Sequence, residues 1–203
     1  KNNLYFFYSS LLLILLPSLY LYLPFGYSLG VIEDREIKTL IEKNKYLKNE
    51  NERRENLELI KSMLIDSKPL KDINTEKIIL LADIYDNTHE FERLDKVYNI
   101  LIDRFPNDHN YYALLAQSIF LNIDMYTDRR SKMNEIISLL DKSLTINPDQ
   151  PLALSIFGMI AYGNKQYQEA IGFWNRALKF YGENSPESDS LIKGIISSQQ
   201  QIN

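Results

Sequence analysis

The sequence predicts an all-α chain, an apolar N-terminal helix followed by a right-handed solenoid of about three helix pairs with a capping helix at each end. Three observations carry this. Residues 4–32 contain no charged side chain; residues 33–56 carry seven acidic and seven basic ones; and three later segments superpose at the spacing of a helical repeat. The implied organisation is an anchor over 1–30, a charged helical stalk or linker over 31–56 and a repeat domain over 57–203.

The first element reads as a transmembrane helix. Crossing a bilayer takes about 20 apolar residues, and twelve of residues 4–23 are Leu, Ile or Phe. At roughly 0.3–0.6 kcal/mol each, these favour insertion by about 5 kcal/mol before the smaller costs of Ser9, Ser10, Ser18 and Pro17. Tyr5, Tyr8, Tyr20, Tyr22 and Tyr27 gather towards the two ends, where amphipathic rings prefer the headgroup region. The run is longer than a signal-peptide core and no Ala-x-Ala-like site follows it, so an uncleaved anchor, held in the lipid bilayer by residues 4–25, is expected over a cleaved leader. Lys1 before it and Glu33-Asp34-Arg35-Glu36 after it favour an internal N-terminus and an external repeat domain. In the next segment Ile37, Leu40, Ile41 and Leu47 form a thin apolar stripe among the charges, which reads as a solvated helix.

Leu57, Ile60 and Leu64 at helical spacing predict a first cap helix over 57–68, ending at Pro69. Repeats are then expected at about 75–106, 109–148 and 151–182. Ile78, Leu81, Ala82, Tyr85, Phe91, Leu94, Tyr98, Leu101 and Pro106 fill the first frame, and Leu154, Phe157, Gly158, Ala161, Tyr167, Ala170, Trp174 and Ala177 the third. Leu115 and Ala116 open the second, which Leu140, Leu144 and Pro148 close. From Ala82 to Ala116 is 34 residues, while Ala116 to Gly158 is 42, an insertion of eight expected within 122–132. The 34-residue period and this residue pattern resemble the tetratricopeptide (TPR) repeat, in which small residues let two helices approach and large ones fill the space between. Ser185-Pro186-Glu187 supplies an N-cap, a proline at the first helical position and an early carboxylate for a last helix over 186–202. Leu191, Ile192, Ile195 and Ile196 share one of its faces, and it reads as a solvating cap.

Composition narrows the function. The formal net charge of −4 argues against nucleic acid as the partner, and the absence of cysteine excludes disulfides, thiolate metal sites and thiol chemistry by this chain. His89 and His109 have no second histidine or carboxylate at metal-ligand spacing, and neither a phosphate-loop spacing nor a Gly-x-Ser-x-Gly sequence occurs. No catalytic residue, metal site or cofactor is expected, and the chain is read as non-enzymatic.

A TPR array instead offers a concave surface to an extended or helical peptide. Its inward positions here are Glu76, Ile79, Asp83 and Asp86, then Ala113, Gln117 and Phe120, then Leu152, Ser155, Met159 and Tyr162. None is the Lys or Asn that chaperone-binding TPR domains use to clamp a terminal carboxylate. A groove acidic at one end and apolar at the other suits an amphipathic helix with a basic portion.

The order of parts, with LPSLYLYLPFG, an enlarged middle repeat, LALSIFGMIAYGNKQYQEAIGFWNRAL and SPES, resembles the TPR subunit of bacterial c-type cytochrome maturation. Tyr167, Ala170, Ile171, Trp174 and Leu178 are its most telling set. The one span in this sequence makes it a single-pass inner-membrane protein, and the resemblance implies that its TPR domain faces the periplasm. There it would bind the C-terminal helix of apocytochrome c and present it to the membrane subunits of the haem lyase. Family members often have two spans, and only one is present in this sequence. A general membrane-anchored TPR scaffold of the cell envelope, serving secretion or envelope assembly, is the alternative.

Overall fold

The computed structural model describes residues 35–65, 69–183 and 185–202. Among these residues nine α-helices and two short 3-10 turns make up the regular structure, and the chain divides into two compact units between Phe105 and Pro106.

The first unit holds α1 (Arg35–Tyr46), α2 (Glu50–Ile65), α3 (Thr75–Asn87) and α4 (Phe91–Arg104), with a 3-10 turn at Leu70–Asp72 before α3. The apolar stripe of α1 is used: Ile37 and Ile41 are buried, and the buried Asn56 of α2 donates to the Leu40 carbonyl at 2.9 Å and to Asn44 Oδ1 at 3.3 Å. The segment is therefore a packed helix pair rather than a solvated stalk. The boundary expected at residue 56 falls inside α2, which runs to Ile65. Lys61, buried near the end of α2, pairs with Glu58 and with Glu90 in the turn between α3 and α4, where Glu90 also accepts from Thr88 Oγ1 and Arg93.

The second unit holds α5 (His109–Leu121), a 3-10 turn at Ile123–Met125, α6 (Arg129–Ile146), α7 (Pro151–Gly163), α8 (Tyr167–Leu178) and α9 (Pro186–Ile202). Successive helices pack as the pairs α5/α6 and α7/α8, and α9 lies against α8. Side chains immediately before several helices close their first turns in the same way, among them Asp128 Oδ1, which accepts from Ser131 N–H at 3.0 Å before α6. Asn74 Oδ1 accepts from Lys77 N–H at 2.9 Å, Asp108 Oδ1 from Asn110 N–H at 3.0 Å, and Gln150 Oε1 from Ala153 N–H at 2.6 Å. Ser185 Oγ likewise accepts from Ser188 N–H at the start of α9.

Of the three turns inside the pairs α3/α4, α5/α6 and α7/α8, the first and last are alike. In each, the first helix ends in a left-handed residue, His89 (φ 59°) or Lys165 (φ 64°). The following N–H groups bond back as Glu90 to Tyr85 and His89 to Asp86, and as Gln166 to Ala161 and Lys165 to Tyr162. This is the Schellman pattern with a side chain where glycine is usual. The middle pair departs from it. The second helix starts 16 residues after the first in the outer pairs (Thr75 to Phe91, Pro151 to Tyr167) but 20 after it in the middle one (His109 to Arg129). The next helix then starts 18 residues on from Phe91 but 22 on from Arg129. The eight inserted residues are thus split, four in the connection and four, about one turn, in α6.

Trp174 is the centre of the second unit. It is fully buried, and its Nε1–H donates to the Ser155 carbonyl at 3.0 Å. A Cβ on Gly158 of α7 would lie 2.2 Å from the indole, and one on Gly194 of α9 would lie 2.8 Å from it. Only glycine fits on either side of the ring. This explains a correction at α9: the helix buries Ser190, Leu191, Gly194 and Ser198, leaving Ile192 (45 % exposed) and Ile196 (48 %) outside. Small residues face inward because the indole occupies the space a large side chain would fill, so the outer face of this cap sets Ile192 and Ile196 among Asp189, Lys193, Gln199 and Gln200.

The fold class needs a second correction. Among the described residues no helix is long and apolar enough to cross a membrane. The most apolar, α7, has 13 residues, spanning about 20 Å against a hydrocarbon core of about 30 Å. The longest, α6, has 18 residues but opens on Arg129, Arg130 and Lys132. Residues 4–32, on which the expected transmembrane helix falls, lie outside the described residues. The described residues are all-α without a membrane-crossing helix among them, so the expected transmembrane helix and the single-pass inner-membrane placement are not supported.

Candidate peptide-binding face

Of the eleven inward positions predicted from the repeat frame, four lie in the first unit and seven in the second, and each set has its own character. Glu76, Ile79, Asp83 and Asp86 recur at intervals of three and four along α3, and all four are partly exposed. Asp83 Oδ1 and its carbonyl accept from Asn87 Nδ2 at 3.3 and 2.7 Å. Burial, reinforced by the charge of Asp86, raises the Asp83 carboxyl from 3.8 to about 6 against the opposing bond from Asn87. Burial also raises Asp86, with His89 acting the other way. Protons are therefore held more readily here than on ordinary surface carboxylates.

In the second unit the corresponding positions are closed. Ala113 (0 % exposed), Gln117 (1 %), Leu152 (5 %), Ser155 (1 %) and Met159 (4 %) are shielded from solvent, against the expectation of an open groove lining. Phe120 and Tyr162, at the ends of α5 and α7, remain partly exposed. The reason is visible in the helices themselves. α5 is buried from Tyr112 to Ile119 and α7 from Pro151 to Ile156, more than a full turn in each case, so no side of these stretches faces water. A helix apolar all round is stable only when covered all round.

Local bonds fix several of these residues. Ser155 Oγ donates to the Pro151 carbonyl at 2.7 Å, inside its own helix, which leaves the face beside it effectively apolar. Tyr162 stands edge-on to Tyr167 at 5.5 Å and 6.0 Å from Trp174, and burial together with Tyr167 raises its phenol. His109, at the start of α5, is tied to the end of α6. Its carbonyl accepts from Ser143 Oγ at 2.8 Å, and its Nε2 lies 3.2 Å from Asn147 Nδ2.

Gln117 has the role that the repeat frame did not disclose. Both polar atoms of its amide are buried without a hydrogen-bond partner among the described residues. Placing a glutamine in YYALLAQSIF, where nearly every neighbour is apolar, was the signal available in the sequence. The Lys61–Glu90 pair had no such signal, its members being 29 residues apart. Among the described residues no group of three or more His, Cys, Asp or Glu side chains is placed to hold a metal ion. The arrangement offers packing surface and one unpaired amide. The chain matches no protein-family model, and no curated protein matches it.

Proposed function

We propose that the chain is a TPR-type adaptor that binds an amphipathic helix of a client protein on the α5/α7 face of its second unit. The client we read from the resemblance is apocytochrome c, bound through its C-terminal helix for presentation to the haem lyase. The observation that carries the binding role is the α5/α7 face itself: small residues at Ala113 and Ser155, large apolar ones at Leu152 and Met159, and the rings of Phe120 and Tyr162 at its ends, around the amide of Gln117. An amphipathic helix docks on such a surface through apolar residues at intervals of three and four. The face is closed in the free chain, so a ligand reaches it by uncovering it.

Titration of the full chain with peptides from C-terminal helices of apocytochromes c, against scrambled and reversed controls, tests this. Sequence-dependent binding weakened about tenfold by Phe120→Ala or Tyr162→Ala is expected, the loss of one buried aromatic contact. Equal binding of parent and scrambled peptides by the folded chain would remove the cytochrome client; a general envelope scaffold would then be the better reading.

A further inference from the structure

Gln117 sits where the repeat places a ligand contact, between Ala113 one turn before it and Phe120 one turn after, on a face where Ala113, Phe120, Leu152 and Met159 are apolar and the Ser155 hydroxyl bonds within its own helix. Its side chain is 1 % exposed, and neither amide atom has a partner among the described residues. A buried amide without hydrogen bonds lowers stability, and an apolar residue of the same size would not. Leucine or methionine would fit the composition of α5 at no such cost. The cost is offset if the amide is satisfied in another state of the molecule.

We infer that Gln117 is the specificity-determining residue of this face: it selects an amphipathic helix that carries one amide or hydroxyl side chain within its otherwise apolar stripe. This rests on the adaptor reading above and names what that site recognises. A carboxamide offers one acceptor and two donors, so it pairs with Asn or Gln through two bonds and with Ser or Thr through one. A single polar pair in an apolar helix interface fixes register and orientation, because every other register buries both groups unpaired. The same amide eases the uncovering of the face, since in water it regains the hydrogen bonds it lacks when closed. Gln117 thus favours opening and then rejects ligands that are apolar throughout.

The test uses the full chain and its Gln117→Leu variant. The probes are an amphipathic Leu/Lys/Ala peptide of about 18 residues, long enough to form a helix, and a set in which each apolar-face Leu in turn becomes Asn. The variant is expected to melt at a higher temperature than the parent. At one peptide position the parent should bind the Asn form about tenfold more tightly than the variant does, while the variant prefers the all-Leu peptide. A preference of both proteins for the all-Leu peptide over every Asn form would overturn the assignment. So would a lower melting temperature for Gln117→Leu, which would mean that the amide is already satisfied. Failure of every peptide to bind either protein would remove the adaptor reading and this inference with it.

Discussion

The α3 stripe and the α5/α7 face occupy the same positions of the repeat and have opposite fates. Positions 79 and 83 place Ile and Asp on a partly exposed stripe; their counterparts Ala113 and Gln117 on α5, and Ser155 and Met159 on α7, are closed to solvent. The backbone frame is common to both, down to the Schellman turns at His89 and Lys165. The difference lies in the side chains. A stripe of carboxylates stays near water because desolvating charge is expensive, whereas an apolar stripe is stable only when covered. Repeat register therefore tells which residues point the same way, and chemistry decides whether that direction is a surface.

The sharpest way to break the second unit alone is at Trp174. Gly158→Ala would place a methyl within the indole, and we expect a loss of about 3 kcal/mol in urea unfolding, the upper end of overpacking costs. Combining it with Trp174→Tyr, which reproduces the small-residue and tyrosine pairing found at positions 82 and 98, should recover a substantial part of that loss. A double variant as unstable as the sum of the singles would show that ring size is not the cause.

A smaller effect separates the first unit by pH. Asp83 titrates near 3.8 when unfolded and at about 6 when folded, so the folded state holds its proton more tightly. The stability this gives is fully present below pH 3.8 and is lost as pH rises through about 6. Discounted for partial solvent screening, the swing is about 1 kcal/mol. Unfolding free energies measured across that window should show it, and Asp83→Asn should flatten the profile. An unchanged profile would mean that Asp83 is as well solvated when folded as when unfolded.

The smallest expected effect lies in what the two regions share. Lys165 holds a left-handed conformation that glycine adopts without strain, and glycine loses more freedom on folding, so the net gain of Lys165→Gly is about 0.5 kcal/mol. A shift of the melting temperature to lower values would show that the lysine side chain contributes more than its backbone strain costs.

Helix placement was legible because it depends on local signals. The cap at Ser185, the Gly and Ala positions, and the 34-residue spacing all act within a turn or between adjacent helices. Three features were not. The burial of Ile37 and Ile41 comes from packing of α1 against α2, across which Asn56 reaches the Leu40 carbonyl, whereas charge content alone suggested a solvated stalk. The inverted face of α9 follows from the size of an indole on α8, which a reading of α9 by itself does not contain. The closure of Ala113, Gln117, Leu152, Ser155 and Met159 is a matter of cover rather than of register, and the frame that named these residues is silent on cover.

Trp174 also gives the molecule an internal reporter. It is the sole tryptophan of the chain, it is fully buried, and it belongs to the second unit. Its emission, blue-shifted while the indole is dry and red-shifted once water reaches it, reads the unfolding of residues 106–203 and is blind to helices α1 to α4. Circular dichroism reads helices throughout the chain. Recording both signals along one denaturation curve separates the stabilities of the two units without labels or truncation, since superimposable transitions mark one cooperative block and displaced transitions mark two.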